Sequence, residues 1–135
     1  MTEYSSWPIG RLPKEFQRPE LDQVRELGYD WKDPRDVVDM FEKKVAKFAG
    51  SRYAVAVDCC SHGIFLALQS LKRNRHNKSL ADITIPNHTY VSIPMQILQA
   101  GFNLQFEERE WSGMYQLKPY NVWDGATRWT KGMYT

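Results

Sequence analysis

The chain has 135 residues, 42% of them hydrophobic, and its 18 basic and 16 acidic residues give a formal net charge of only +2. This length and composition suit one ordinary domain with a real core, and the scattered Lys and Arg residues give no support for nucleic-acid binding. No apolar segment approaches the ~20 residues that span a bilayer, and no basic stretch followed by an apolar run opens the chain. We therefore expect a cytoplasmic protein that binds no membrane.

Residues 1–32 contain several prolines and no sustained hydrophobic period, which predicts an irregular N-terminal arm with one helical turn near residues 21–27. Asp33 then suits a helix N-cap, and Pro34 suits the first helical position. Apolar residues recur at helical spacing from there until Gly50. This pattern predicts an amphipathic helix that begins near Asp33 and ends at Gly50.

Three short apolar runs predict strands, at residues 53–57, 83–85 and 104–106. The first and second are separated by a helix pattern around Ile64 and Leu68 and a basic, polar loop at residues 72–79. The second and third are separated by a helix pattern around Ile93 and Ile97 that closes at Gly101. Strands that alternate with helices of this length predict an α/β fold with right-handed crossovers and a mainly parallel sheet.

Ligands of such sheets bind beyond the carboxyl ends of the strands, where loops lead into helix N-termini. Ser61 stands at one junction, where a hydroxyl and free backbone N–H groups suit a phosphate, and its alternative role is an ordinary helix N-cap. Tyr90 stands at the next, where it could stack on a planar ring or serve as a core aromatic. Asp124 follows residues 120–123, a further predicted strand end, where it could hold a ring nitrogen protonated or cap a helix. Taken alone, each residue favours the commoner structural role.

The two cysteines, Cys59 and Cys60, are adjacent in sequence. Adjacent cysteines have poor geometry for a mutual disulfide, and two are too few for a structural zinc site. We therefore expect reduced thiols and no metal site.

Four segments in order carry a family resemblance. Residues 41–57 are similar to the helix and strand before the phosphate loop of DegT/StrS-type sugar aminotransferases, and residues 59–68, 85–90 and 124–126 are similar to that family's next three motifs. The resemblance implies pyridoxal 5′-phosphate as cofactor and the three-layer α/β/α fold of the aspartate aminotransferases. It implies that Cys60 and Ser61 lie in the phosphate cradle, that Tyr90 stacks on the pyridine ring, and that Asp124 contacts the pyridine nitrogen.

The chain departs from the family in three places. Cys60 replaces a glycine whose missing side chain lets the backbone approach the phosphate. The stretch between Phe106 and Asp124 is short where the family has a further strand and helix, so we expect a trimmed sheet. The family's Schiff-base lysine lies well beyond the aspartate, and no lysine here matches its position, although Lys131 comes nearest in sequence.

We therefore expect an N-terminal arm (residues 1–32) and a partial large domain (33–135) that lacks the lysine segment and the small C-terminal domain. Such a chain would contain no catalytic residue and would be inactive alone, whereas its full-length relative would transfer an amino group from an amino acid to a nucleotide-linked keto-sugar. As partners we expect a second copy in a homo-oligomer or a lysine-bearing C-terminal segment, and the latter would supply the missing lysine. The alternative is a non-catalytic α/β module for assembly or for phosphate binding.

Overall fold

The computed structural model describes residues 19–29, 33–74 and 80–134 of the chain. Within these residues, the elements in order are α1 (Pro19–Glu26), α2 (Pro34–Ala49), α3 (Cys60–Arg73), β1 (Ile83–Pro86), α4 (Ser92–Gln99), β2 (Leu104–Glu107), β3 (Tyr115–Gln116) and β4 (Trp123–Asp124). The chain divides into two compact units, Met1–Val37 and Val38–Thr135. Most of the predicted arm and residues 75–79 of the predicted basic loop lie outside the described residues.

In the first unit, the helical turn predicted near residues 21–27 is a helix of eight residues, α1. The predicted start of the next helix is confirmed, because α2 begins at Pro34. Asp33 accepts a hydrogen bond of 2.9 Å from the backbone N–H of Arg35, and its own N–H donates to the Asp36 carboxylate at 3.2 Å. These reciprocal bonds satisfy backbone N–H groups that a helix start leaves without partners.

In the second unit, α2 ends at Ala49, and Gly50 follows with a φ of 77°, as predicted for a helix that stops at this glycine. Phe48 stacks on Trp129, with ring centroids 5.4 Å apart. The backbone N–H groups of Gly132 and Tyr134 donate to the carbonyls of Phe48 and Ala49. The turns of residues 125–134 therefore cover the end of α2.

The strand predicted at residues 53–57 is wrong. These residues belong to no helix or strand and pair with no described strand, and Tyr53, Val55 and Val57 are exposed. The backbone N–H of Ala56 donates a hydrogen bond of 2.7 Å to the Glu42 carboxylate, so a side chain takes the place of a neighbouring strand. An apolar, β-branched run fits a strand, but it becomes one only where a neighbour offers ladder hydrogen bonds.

The strands predicted at residues 83–85 and 104–106 are confirmed as β1 and β2, which pair in parallel with Ile83 opposite Leu104. Helix α4 connects them and ends at Gln99, with Ala100 as its C-cap, and Gly101 follows with a φ of 78°. Both Ile83 and Ile85 are fully buried. They form the core with residues of α3, of α4 and the loop after it, and of the segment that follows β2: Ile64, Leu68, Ile93, Ile97, Ala100, Phe102, Tyr115, Leu117 and Tyr120.

The stretch between β2 and Asp124 forms an antiparallel hairpin of β3 and β4, with Tyr115 opposite Asp124. Its connection returns to β1, because Thr84 and Lys118 exchange backbone hydrogen bonds of 2.9 and 3.1 Å. The described part of the second unit thus combines helices with a small parallel sheet and an antiparallel hairpin, which is compatible with an α/β fold. No helix among the described residues is both long and apolar enough to cross a membrane.

Candidate functional site

Asp124 ends β4 and is a buried carboxylate, with only 4% of its surface exposed. The Tyr115 hydroxyl donates to its Oδ2 at 2.6 Å, and the Cys60 thiol donates to its Oδ1 at 3.7 Å. No ion pair formed within the described part of the chain includes Asp124. The anion is therefore held by two neutral donors, and the thiol is the weaker of them.

Tyr115 is placed by the hairpin and is itself only 1% exposed. Residues directly opposite in an antiparallel pair project to the same face, so the register of β3 and β4 places its side chain beside that of Asp124. Burial and the hydrogen bond to Asp124 raise the pKa of Tyr115, whereas a hydrogen bond with the Thr89 side chain lowers it. The rise is large, and the phenol stays protonated.

Cys60 is the first residue of α3, and its partly buried thiol faces Asp124 across 64 positions of sequence. Burial raises the pKa of this thiol, and the negative charge of Asp124 raises it further. The neighbouring Cys59 is the N-cap residue of α3 and makes no side-chain capping bond. Two adjacent thiols thus have different surroundings.

Ser61 and Ser92 bring the first turns of α3 and α4 together through a hydrogen bond of 2.7 Å between their hydroxyl oxygens. Neither helix has a side-chain capping bond at its start. Free N–H groups and the positive end of the helix dipole attract anions at such a position. Two hydroxyls and two helix starts are therefore available at one place.

Tyr90 lies two residues before α4, and its side chain is 75% exposed. Tyr90 therefore does not have the alternative role of a core aromatic. The other two structural alternatives are also wrong: the N-cap of α3 is Cys59 rather than Ser61, and no helix follows Asp124 within residues 125–134. The structure thus brings Cys60 into contact with Asp124 and Ser61 into contact with Ser92, and it places Tyr90 beside the α4 start.

Sequence reasoning missed three residues here: Thr89, Ser92 and Tyr115. Ser92 and Thr89 had an available signal, because both flank Tyr90 at the junction after β1. Tyr115 had none, because its place depends on a hairpin where the family pattern led us to expect only a trimmed sheet.

A second cluster lies at the same loop. One ligand atom from each of Asp58, Cys59 and His62 lies within 4.8 Å of the others, and all three residues are exposed. Asp58 and His62 already partner each other at 2.6 Å, and this hydrogen bond lowers the pKa of Asp58. We assign no ion to this cluster, because exposed polar groups that satisfy each other need none.

A cavity of about 520 Å³ opens beyond the ends of β1 and β2. Its lining combines charged, polar and aromatic residues: Asn87, His88, Glu108, Arg109, Glu110 and Trp111. Trp111 is fixed there, since its indole N–H donates to the carbonyl of His88 at 2.8 Å. The predicted site residues do not line this cavity, although Asn87 and His88 belong to the same junction as Tyr90.

Comparisons with known proteins agree on one family. A model of the DegT/DnrJ/EryC1/StrS aminotransferase family matches residues 15–133. The spore coat polysaccharide biosynthesis protein SpsC of Bacillus subtilis (strain 168) is 41% identical over 51 residues, which are 38% of this chain and 13% of that protein. No solved structure matches.

Proposed function

Because the chain belongs to the DegT/DnrJ/EryC1/StrS aminotransferase family, we propose that its second compact unit holds pyridoxal 5′-phosphate where α3, α4 and β4 meet. The observation that carries this proposal is the buried carboxylate of Asp124, whose hydrogen-bond partners are the neutral Tyr115 and Cys60. Burying a carboxylate without a cation is costly. A protonated ring nitrogen would supply the missing positive charge.

The phosphate has a fitting place at the other end of the site. The hydroxyls of Ser61 and Ser92 are 2.7 Å apart, and each belongs to the first turn of a helix without a side-chain cap. A phosphate there would accept hydrogen bonds from both hydroxyls and from backbone N–H groups. Ser61 is the phosphate-binding residue that the family resemblance implies.

The ring would lie between these two ends. Tyr90 is exposed beside the α4 start and is free to cover a face of the ring. Cys60 stands where the family has glycine, and its thiol lies on Oδ1 of Asp124. Asp124 would contact the ring nitrogen through this oxygen, which is the one with the weaker donor.

When bound, the cofactor supplies the electron sink on which amino-group transfer depends. Within this chain, Ser61 and Ser92 bind the phosphate, Tyr90 orients the ring, and Asp124 keeps a proton on its nitrogen. The family's lysine has no counterpart among the matched motifs. We therefore propose that a lysine-bearing C-terminal segment completes the reaction.

The substrates belong to the same proposal. The family resemblance favours an amino acid as donor and a nucleotide-linked keto-sugar as acceptor, and the name of SpsC connects that protein with polysaccharide biosynthesis. The cavity beyond β1 and β2 offers an indole, carboxylates and a guanidinium. Such groups bind sugar rings and hydroxyls, so we place the sugar there.

A titration of the chain with pyridoxal 5′-phosphate, in which tryptophan fluorescence reports binding, tests the proposal. We expect saturable binding that Asp124→Asn weakens at least tenfold, because a neutral amide cannot balance a protonated ring nitrogen. Asp82→Asn is the matched control, since Asp82 is an exposed carboxylate bonded to the amides of Asn103 and Gln105. Equal affinity of the Asp124→Asn variant and the wild type would refute the assigned role of Asp124.

A phosphate-binding module is the second candidate, and the Ser61–Ser92 pair favours it. Inorganic phosphate and pyridoxal without its phosphate separate the two functions. Phosphate that binds as tightly as the whole cofactor would support the module, whereas clearly tighter binding of the cofactor supports the aminotransferase site.

A further inference from the structure

The two oxygens of Asp124 are held very differently. Oδ2 accepts a hydrogen bond of 2.6 Å from a buried tyrosine, whereas Oδ1 faces a thiol at 3.7 Å. A phenol is a good donor and a thiol is a weak one. A stronger donor can therefore replace Cys60 at Oδ1 far more easily than it can replace Tyr115 at Oδ2.

The hydrogen bond between Tyr115 and Asp124 fixes the direction in which the phenol proton points. The phenol hydroxyl donates to Oδ2 at 2.6 Å, and an ionised carboxylate can only accept. The pairing of β3 with β4 places the two residues directly opposite each other. Tyr115 is thus a donor whose position is set by the β3–β4 register.

We infer that Tyr115 is a positioning residue, which holds the Asp124 carboxylate by Oδ2 so that Oδ1 is presented to the ring nitrogen of the cofactor. This inference rests on the proposed function, because it assigns the ring nitrogen to Asp124. It goes beyond the family motifs, since Tyr115 lies in none of the four matching segments. A purely structural tyrosine would fill the core equally well without its hydroxyl.

The test removes only that hydroxyl. Tyr115→Phe keeps the buried ring, and Tyr120→Phe is the matched control, because Tyr120 is 2% exposed and donates its hydroxyl to the carbonyl of Ala81 at 3.1 Å. Affinity is measured for pyridoxal 5′-phosphate and for the analogue in which a C–H replaces the ring nitrogen. We expect Tyr115→Phe to lower the affinity for the cofactor about tenfold, which corresponds to about 1.4 kcal/mol. The affinity for the analogue should stay unchanged. Tyr120→Phe should change the ratio of the two affinities by less than about twofold.

A second measurement needs no cofactor. Because Oδ1 faces the Cys60 thiol, a carboxylate released from Tyr115 should change the rate at which iodoacetamide alkylates Cys60 and leave that of Cys59 unchanged. Mass spectrometry of the tryptic peptide that contains both thiols measures the two rates in each variant. The same change should not occur in Tyr120→Phe.

The two measurements separate the possible failures. If the wild-type chain binds no cofactor but Tyr115→Phe alters Cys60 alone, Tyr115 still holds the Asp124 carboxylate, and the proposed function fails together with the role toward the ring nitrogen. If the cofactor binds but Tyr115→Phe leaves both the affinity ratio and the Cys60 rate at wild-type values, the positioning role is overturned. If both variants lower the affinity for cofactor and analogue equally, the hydroxyl acts only on stability, and the inference is likewise overturned.

Discussion

Ser61 and Ser92 lie 31 positions apart in sequence, yet their hydroxyl oxygens are 2.7 Å apart and join the starts of α3 and α4. One of these hydroxyls donates its hydrogen to the oxygen of the other. The hydrogen of the accepting hydroxyl can still be donated to another group. An anion that accepts from both would replace a single weak bond with two charge-assisted ones. Hydrogen bonds to a phosphate would therefore stabilise the two hydroxyls more than their hydrogen bond to each other does.

Ser61→Ala should weaken binding of pyridoxal 5′-phosphate by about 1.5–3 kcal/mol, because one hydrogen bond to a charged group is lost. The free energy of unfolding should fall much less. Isothermal titration calorimetry and thermal unfolding measure the two effects. Ser70→Ala, at an exposed position of the same helix, is the control. Equal affinities for the Ser61→Ala and Ser70→Ala variants would contradict the phosphate role.

The pH dependence of alkylation should distinguish the two cysteines. Burial and the charge of Asp124 raise the pKa of Cys60, so its reactive thiolate appears only at a pH above the ordinary range of a thiol. Asp124→Asn removes the charge, and the pH midpoint of Cys60 alkylation should move down. Cys59 in the same peptide should keep its midpoint. A Cys60 midpoint that moves up, or not at all, would show that Asp124 does not face the thiol.

Leu68→Ala should lower the free energy of unfolding by about 2–5 kcal/mol, because Leu68 is fully buried where α3 packs on the core and the substitution leaves a cavity. Leu66→Ala lies two residues away on the same helix, where the side chain is 54% exposed, and should cost about 0.5 kcal/mol or less. Urea unfolding of both variants measures the difference. Similar losses would mean that α3 is rotated from its described orientation.

The exposed segment at residues 53–57 should promote self-association. Tyr53 and Val55 are 72% and 76% exposed in a segment that pairs with no described strand, and exposed apolar segments associate readily with another chain. We expect light scattering to show mass rising with concentration. The double variant Tyr53→Ser/Val55→Ser should reduce that rise, and Leu98→Ser, exposed on α4, should not. A clean monomer at all concentrations would contradict a homo-oligomer.

The elements that sequence predicted well are those whose signals are local. Pro34 and Gly50 mark the ends of α2, and Gly101 follows α4, because proline and glycine restrict or permit backbone angles at the residue itself. The strand at residues 53–57 failed because pairing depends on a partner elsewhere in the chain. Propensity indicates that a segment can be a strand, and only the neighbour makes it one.

The same distinction applies to the site. Cys60, Ser61, Tyr90 and Asp124 were identified because family motifs mark them, and their cofactor roles remain proposals. The hydroxyl of Ser92 and the phenol of Tyr115 were not identified, because contacts across 31 and 9 positions decide what they face. A sequence read motif by motif shows which groups carry chemistry, and it does not show which groups hold them in place.

The hairpin has a consequence for how the site forms during folding. Tyr115 and Asp124 are separated by only 9 positions, so closing this loop costs little chain entropy and needs no docking of distant elements. The contacts of Asp124 with Cys60 and of Ser61 with Ser92 span 64 and 31 positions and require α3 and α4 to be in place. The carboxylate and its phenol donor are therefore joined by a much shorter loop closure than the one that joins the helix starts to them.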